Sequence, residues 1–249
     1  MWHALFLRES LARTMSDRMG WFWMFFEPIA FVLVFVGIRS LLGGAELIAG
    51  TEFIPWLIVG LFAFFLVREN MMRPIGAISS NKGLFAYRQV KPIDPVIARC
   101  FVEGMLRSFI FVVFILGCTL LDINMAPVNP LEALYVWGSL WGLGIGLGLV
   151  FSATAALIPE ISKVLNIISL PLLIVSGVII PLNNLPQDLL VYVLWNPIVH
   201  GIEILRANFF PLYKPVPGAS LLYLWYWVLV SIALGLMMHV RFELKLKRQ

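Results

Sequence analysis

The chain has 249 residues, 61% of them hydrophobic and only 13% charged, with 18 Lys and Arg against 14 Asp and Glu and a net charge of +4. A soluble domain carries roughly 25% charged residues, so this composition, with a mean hydropathy of +0.92, belongs in a bilayer. The cations cluster in loops and termini between apolar runs, as membrane orientation requires, which argues against a nucleic-acid partner.

Residues 1–19 read as an interfacial helix, with Ala4, Leu7, Leu11 and Met15 on one side and Glu9, Arg13 and Asp17 opposite. Acidic and basic residues alternate through this segment and no small-residue cleavage site follows a short apolar core, so it is not a cleavable signal. Gly20 loosens the chain, and Trp21, Phe22, Trp23, Phe25 and Phe26 are boundary aromatics. Pro28 suits a first helical turn, which sets the first span at about 28–42. Glu27 then lies near the boundary, either as a cap or ion-pair partner of an arginine in the leading helix, or in contact with substrate.

The loop 43–51 carries no Lys or Arg and reads as external, and the second span covers 53–67. Arg68, Glu69 and Arg73 follow, and then Ser79 to Asp94, SSNKGLFAYRQVKPID, the longest polar interruption of the first half. Ser79, Ser80 and Asn81 are N-cap types and Pro92 cannot continue a helix, so a short basic helix is predicted there. It either plugs into a cleft on a soluble partner or lies on anionic headgroups.

The third span covers 96–121, and the cation-free loop 122–132 faces outside. In the fourth span, 134–158, Gly142 with Gly146 and Gly144 with Gly148 form two small-xxx-small pairs that admit close helix approach. They lack the spacing and the preceding strand of a dinucleotide fingerprint. The fifth span is 164–180. Residues 181–211 hold two apolar pieces, 189–195 and 198–210, each below the roughly 20 residues a span needs, and Asn196–Pro197 is a cap and first-turn pair. They read as re-entrant helices on the outer side, after which the sixth span, 221–238, returns the cationic tail 241–249 to the cytoplasm. Both termini are then cytoplasmic, in one transmembrane domain covering 1–249.

Cys100 and Cys118 lie too far apart along one apolar run to bridge, and no metal-type spacing occurs. His3, His200 and His239 are scattered over different compartments, and H-E-x-x-H, G-x-S-x-G and G-x-x-x-x-G-K-[ST] are all missing. Nothing here supports catalysis by this chain, and any ATP is bound by another subunit. His200, Glu203 and Arg206 share one helix face, as a gate on a pathway or as a local ion pair. Trp21, Trp23, Trp56, Phe62, Phe65 and Trp195 are candidates to stack on sugar rings along a conduit, or are ordinary boundary aromatics.

The order of parts resembles the membrane subunit of type-2 ABC exporters: a leading helix, GWFWMFFEP opening the first span, NKGLFAYRQVKPID after the second and NPIVHGIEILRANFF before the last. The branch it looks most like exports capsular polysaccharide, with O-antigen and teichoic acid permeases as sister branches. The resemblance implies an all-α fold of six spans in the bacterial inner membrane. It further implies a second copy of the chain, two copies of an ATPase subunit carrying ATP and Mg, a periplasmic co-polymerase or adaptor and an outer-membrane channel. By the same resemblance, Asn81, Lys82, Leu84, Phe85, Tyr87 and Arg88 dock on the ATPase. Arg8, Arg13, Arg18, Arg68 and Arg73 then receive a lipid-linked anionic polysaccharide, as does Arg88. An ion-coupled secondary transporter is the rival, and it would need an intramembrane carboxylate relay and repeated halves.

Overall fold

A computed structural model describes residues 2–15, 19–41, 47–87 and 89–248. The helices are α1 (Trp2–Met15), α2 (Gly20–Leu41), α3 (Phe53–Met72), α4 (Ala77–Ser80), α5 (Ile93–Leu120), α6 (Pro130–Leu157), α7 (Glu160–Val175), α8 (Gln187–Val193), α9 (Pro197–Phe209), α10 (Leu221–Arg241) and α11 (Glu243–Arg248). Two-residue strands β1 (Leu47–Ile48) and β2 (Thr51–Glu52) form a hairpin before α3. Its turn needs two residues with positive φ, supplied by Ala49 (48°) and Gly50 (83°). The end of the bundle that holds α1, residues 73–91 and α11 is the basic end, and the opposite end is the far end.

Helix α3 is apolar all round as far as Val67 and almost wholly buried, which makes it the post around which the others stand. Helices α2, α5, α6, α7 and α9 all touch it, while α10 packs along α6. In lipid the hydrophobic effect does not drive helices together, so close backbone approach has to. The two glycine pairs of α6 serve two different neighbours. A Cβ at Gly144 or Gly148 would strike Asn70 of α3, and one at Gly142 or Gly146 would strike Val228 or Ser231 of α10.

Five helices are long and apolar enough to cross a membrane: Phe22–Leu41, Phe53–Ser80, α5, α6 and α10. The predicted fifth span, 164–180, is corrected to the 16-residue α7, below the usual spanning length. Its contacts nevertheless follow α3 from the basic end toward the far end. Arg68 donates from Nε to Ser169 Oγ at 2.7 Å. At the far end, Arg206 donates to the Gly177 carbonyl at 2.9 Å and to the Trp56 carbonyl at 3.3 Å. Helices α8 and α9 meet at 105°. Asn196 caps α9 as expected, accepting from the Ile198 N–H at 3.0 Å. Both ends of α9 stay at the far end: His200 accepts from the N–H of Ser220, just before α10, and the Asn208 carbonyl accepts from the N–H of Asn129, just before α6.

Two further expectations are corrected, the start of the first span and the helix within 79–92. The first span does not begin at Pro28, because α2 runs from Gly20 straight through it. One lost backbone hydrogen bond does not end a helix whose preceding residues are already helical, and such prolines are tolerated in membranes. The apolar stripe of α1 faces outward, with Leu7 and Leu11 exposed, whereas Glu9 is buried against the protein. The basic helix predicted within 79–92 is a 3-10 turn at Lys82–Ala86, closed by i→i+3 bonds such as Leu84 N–H to Asn81 O at 2.9 Å.

Candidate functional site

At the basic end, three apolar helices and α1 each carry charge into one shared cluster. Arg13 of α1 pairs with Glu103 of α5 at 2.7 Å, and Arg73 approaches the same carboxylate at 3.9 Å. Arg73 also pairs with Glu69 of α3 at 2.8 Å. Glu69 further meets Arg68 at 3.1 Å and Arg107 of α5 at 3.6 Å. Those two arginines reach Glu27 of α2 at 3.4 and 3.3 Å. The network therefore runs from α1 to α2 without a break.

Such charges are tolerated inside apolar helices because each carboxylate has more than one guanidinium, which offsets desolvation. Arg107 and Glu103 side chains are each only 2% exposed. Four guanidiniums face three carboxylates, leaving the cluster cationic. Glu103 Oε2 and Arg107 Nη1 have no hydrogen-bond partner. Beside the cluster lies an open cavity of about 480 Å³ lined by Arg13, Arg73, Glu27, Trp23, Phe26 and Phe31 among others. Arg13 and Arg73 also line a second cavity of about 260 Å³ with Glu9, Arg99 and Glu103.

A smaller junction joins the 82–86 turn to α1. Asn81 was expected to cap a helix; instead it is buried, and its Nδ2 donates to Glu9 Oε1 at 3.1 Å and to the Ala77 carbonyl at 2.9 Å. Glu9 Oε2 accepts from Arg99 Nε at 2.8 Å, and Arg99 Nη2 reaches Ser80 Oγ at 3.0 Å. Within the turn, Leu84 and Phe85 are half-buried and Lys82 and Tyr87 exposed. Arg88 and Arg18, and the side chain of Trp21, lie outside the described residues. Arg8 is exposed on α1.

The remaining predicted site residues separate. Trp23 is 58% exposed and packs edge-on to Phe22 and Phe26 beside the cavity. Trp56 and Phe62 present no face to a conduit: both are fully buried in α3, Trp56 with Arg206 3.6 Å over its ring and Phe62 stacked on Phe111 at 5.2 Å. His200, Glu203 and Arg206 are turned into the protein and not toward a pathway. Arg206 pairs with Glu203 at 3.3 Å and also donates to the Val178 carbonyl at 3.2 Å. Glu203 accepts from the Tyr213 hydroxyl at 2.9 Å and from the Val216 N–H at 3.1 Å. His200 accepts at Nδ1 from Ser220 N–H and donates from Nε2 to the Leu194 carbonyl at 2.7 Å, the neutral tautomer. Glu27, expected to meet an arginine of the leading helix, is instead paired with Arg68 and Arg107.

Residues 9, 99, 103 and 107 are the ones the sequence reading did not single out. Glu103 and Arg107 stand four apart within an apolar run, two charges on one helix face that call for partners on other helices.

A buried post helix ringed by helices long enough to span, a sharply bent helix pair at one end and a basic turn at the other define a multi-pass helical membrane protein. The family profile described as ABC-2 type transporter matches residues 2–210, and the chain belongs to that family. It is 36% identical over 236 residues to the polysialic acid transport protein KpsM of Escherichia coli, covering 95% of this chain and 91% of that one. Two further relatives are the capsule polysaccharide export inner-membrane proteins CtrC of Neisseria meningitidis serogroup A, 30% identical, and BexB of Haemophilus influenzae, 28% identical. They cover 83% and 84% of this chain and 78% of their own lengths.

Proposed function

We propose that the chain is the permease subunit of an ATP-driven exporter that moves a lipid-linked, anionic capsular polysaccharide across the bacterial inner membrane. Two copies work with two ATPase subunits, which bind the ATP and Mg, and the glycan passes to a periplasmic adaptor and an outer-membrane channel. Both termini and the 82–86 turn are cytoplasmic. The relatives' names support the substrate class, since polysialic acid and capsule polysaccharides are what those proteins transport or export.

The observation that carries the reading is the cationic cluster beside an amphipathic cavity. Arg13 and Arg73 offer charge-assisted hydrogen bonds to a phosphate or acidic sugar, while Trp23, Phe26 and Phe31 supply an apolar wall for a lipid terminus. ATP closure moves the 82–86 turn, and the Asn81–Glu9–Arg99 junction passes that movement to α1 and on to α2. Every carboxylate of the cluster is matched by arginine, which suits anion handling better than the proton relay of a secondary transporter.

The test is export of labelled glycolipid by inverted vesicles holding the permease and its ATPase. Arg88→Glu should leave the permease folded and ATP hydrolysis running while export falls at least tenfold. Transport driven by a proton gradient in the absence of ATP would overturn the reading.

A further inference from the structure

Between α5 and α6 lies a cleft of about 510 Å³ that the mechanism above leaves unused. Its floor is made of buried side chains: Phe111 of α5, Ala133 and Trp137 of α6, and Leu205 and Phe209 of α9. Phe111 stacks on Trp137 at 4.6 Å between ring centroids and meets Phe209 at 5.7 Å, so the floor is a packed aromatic surface. The rim is exposed, with Val112 on the α5 side and Leu134 on the α6 side. The polar side-chain groups that line the cleft are already engaged. Ser108 Oγ donates to the Gly104 carbonyl at 2.7 Å and accepts from Trp137 Nε1 at 2.8 Å, and Trp141 Nε1 donates to the Cys100 carbonyl at 3.4 Å. The cleft therefore offers little to water, which needs two to four polar partners in such a space.

The depth of the cleft says what fills it. Along α5 the exposed large apolar residues are Phe101, Met105, Phe109, Val112, Leu116 and Leu120, a single stripe at three- and four-residue steps. From Phe101 to Leu120 the stripe is about 28 Å long at ~1.5 Å per residue, close to the ~30 Å of a bilayer's hydrocarbon layer. Glu103 and Arg107, the charged residues of this stretch, are turned inward. Val112 stands near the middle of the stripe, so moving the bilayer by a turn either way leaves the cleft within hydrocarbon. Pro127 and Pro130 line the part of it nearest the far end. A partner helix is about 10 Å across and seats where small residues let backbones approach. The exposed stripe of α5 has no small residue, and Phe109 and Leu116 flank Val112 on the same face. These side chains and Leu134 hold a helix backbone away from the floor, whereas a hydrocarbon chain is thin and flexible enough to pass between them.

We propose that the cleft is a binding site for one acyl chain of a phospholipid in the leaflet at the far end. The chain lies against α5, α6 and α9 together, so a membrane lipid becomes part of the packing that holds α9 in place. The site does not depend on what the protein exports.

The test uses full-length protein in nanodiscs that carry a trace of phosphatidylcholine with a photoreactive diazirine midway along one acyl chain, and reads the labelled residues by mass spectrometry. Labelling per residue at Phe111, Val112 and Trp137 should exceed that at Leu229, Val230 and Leu234, exposed apolar residues of α10, at least fivefold. This ratio in the unaltered protein is decisive whatever the stability of the variants. Gly138 lines the cleft, and nothing stands within 4 Å of a Cβ built on it, so Gly138→Phe puts a ring into the space. It should bring cleft labelling down to the α10 level, while Val230→Phe should change cleft labelling less than twofold. Labelling spread evenly over the two surfaces, or cleft labelling that survives Gly138→Phe, overturns the proposal. Cys100 and Cys118 are buried, so Val112→Cys reports contact between copies. A disulfide between two copies at that position would give the cleft to a second copy and likewise overturn the proposal.

Discussion

Replacing Arg206 by Met tests whether the far-end plug is held by one buried side chain. The guanidinium donates to three backbone carbonyls, of Trp56, Gly177 and Val178, and pairs with Glu203, so it joins α3, the end of α7 and α9. Met keeps much of the volume over Trp56 but takes the guanidinium from the non-helical Gly177 and Val178 carbonyls and leaves a carboxylate buried. Glu203 retains the Tyr213 hydroxyl and the Val216 N–H, which limits the damage. Removing one partner of a buried pair costs about 3–5 kcal/mol, and the retained bonds place this case at roughly 4 kcal/mol. At about 2–4 °C per kcal/mol for a chain of this size, the apparent Tm should fall by roughly 8–16 °C. Glu203→Gln should cost less, because the amide oxygen still accepts from Tyr213 and Arg206 keeps its carbonyls. The double variant should lose less than the sum, since no carboxylate is then stranded. The assay is thermal unfolding of detergent-purified protein at one fixed heating rate, as unfolding of such proteins is irreversible. An R206M protein melting within 2 °C of the parent, or strict additivity of the double variant, would refute the reasoning.

Other expected outcomes follow from the same contacts. Gly146→Leu and Gly148→Leu each drive a side chain into a neighbouring helix, at a cost of about 1–3 kcal/mol or more, and should abolish monodisperse protein in detergent, while Gly138→Ala, with open space around it, should not. Glu9→Gln should reduce export several-fold, with little change in the ATPase subunit's affinity; exchanging the charges, Glu9→Arg with Arg99→Glu, should restore part of it, measured as transport per ATP hydrolysed. Glu103→Gln removes the carboxylate that holds Arg13 and should make α1 more sensitive to protease at the basic face. Thiol labelling of intact cells should reach Trp195→Cys from outside and fail to reach Tyr87→Cys, and the reverse pattern would invert the orientation.

The order of spans, the glycine pairs and the Asn196 cap were legible because each is a local signal. Periodicity marks an apolar run, small residues four apart mark a close helix contact, and a side-chain oxygen two residues from an N–H marks a cap. What escaped was what depends on neighbours from elsewhere in the chain. The two faces of α1 could be read from its periodicity, but not that the charged one finds its partners on α5. Trp56 and Phe62 looked like platforms for sugars because their sequence carries no hint that α3 is enclosed on all sides. Pro28 looked like a beginning because one residue cannot report whether the eight before it are already helical.

The distribution of charge ties these corrections together. In a bilayer a lone arginine or glutamate is expensive wherever it sits, so one that persists inside a span must be matched, and its match reports which elements are held together. At the far end the match is within α9 itself, Glu203 to Arg206, reinforced by carbonyls of fixed segments. That arrangement locks. At the basic end, beside Arg68–Glu69 within α3, the matches run between elements: α1 to α5, α5 to α3 and to α2, and α1 to the turn through Asn81. Arg73 and Arg68 each hold carboxylates while remaining 45% and 30% exposed, so these pairs can exchange partners, or take an anionic ligand, at lower desolvation cost than the sealed pair above. One end of the bundle is therefore built to stay shut and the other to rearrange, as the proposed drive from the basic end requires.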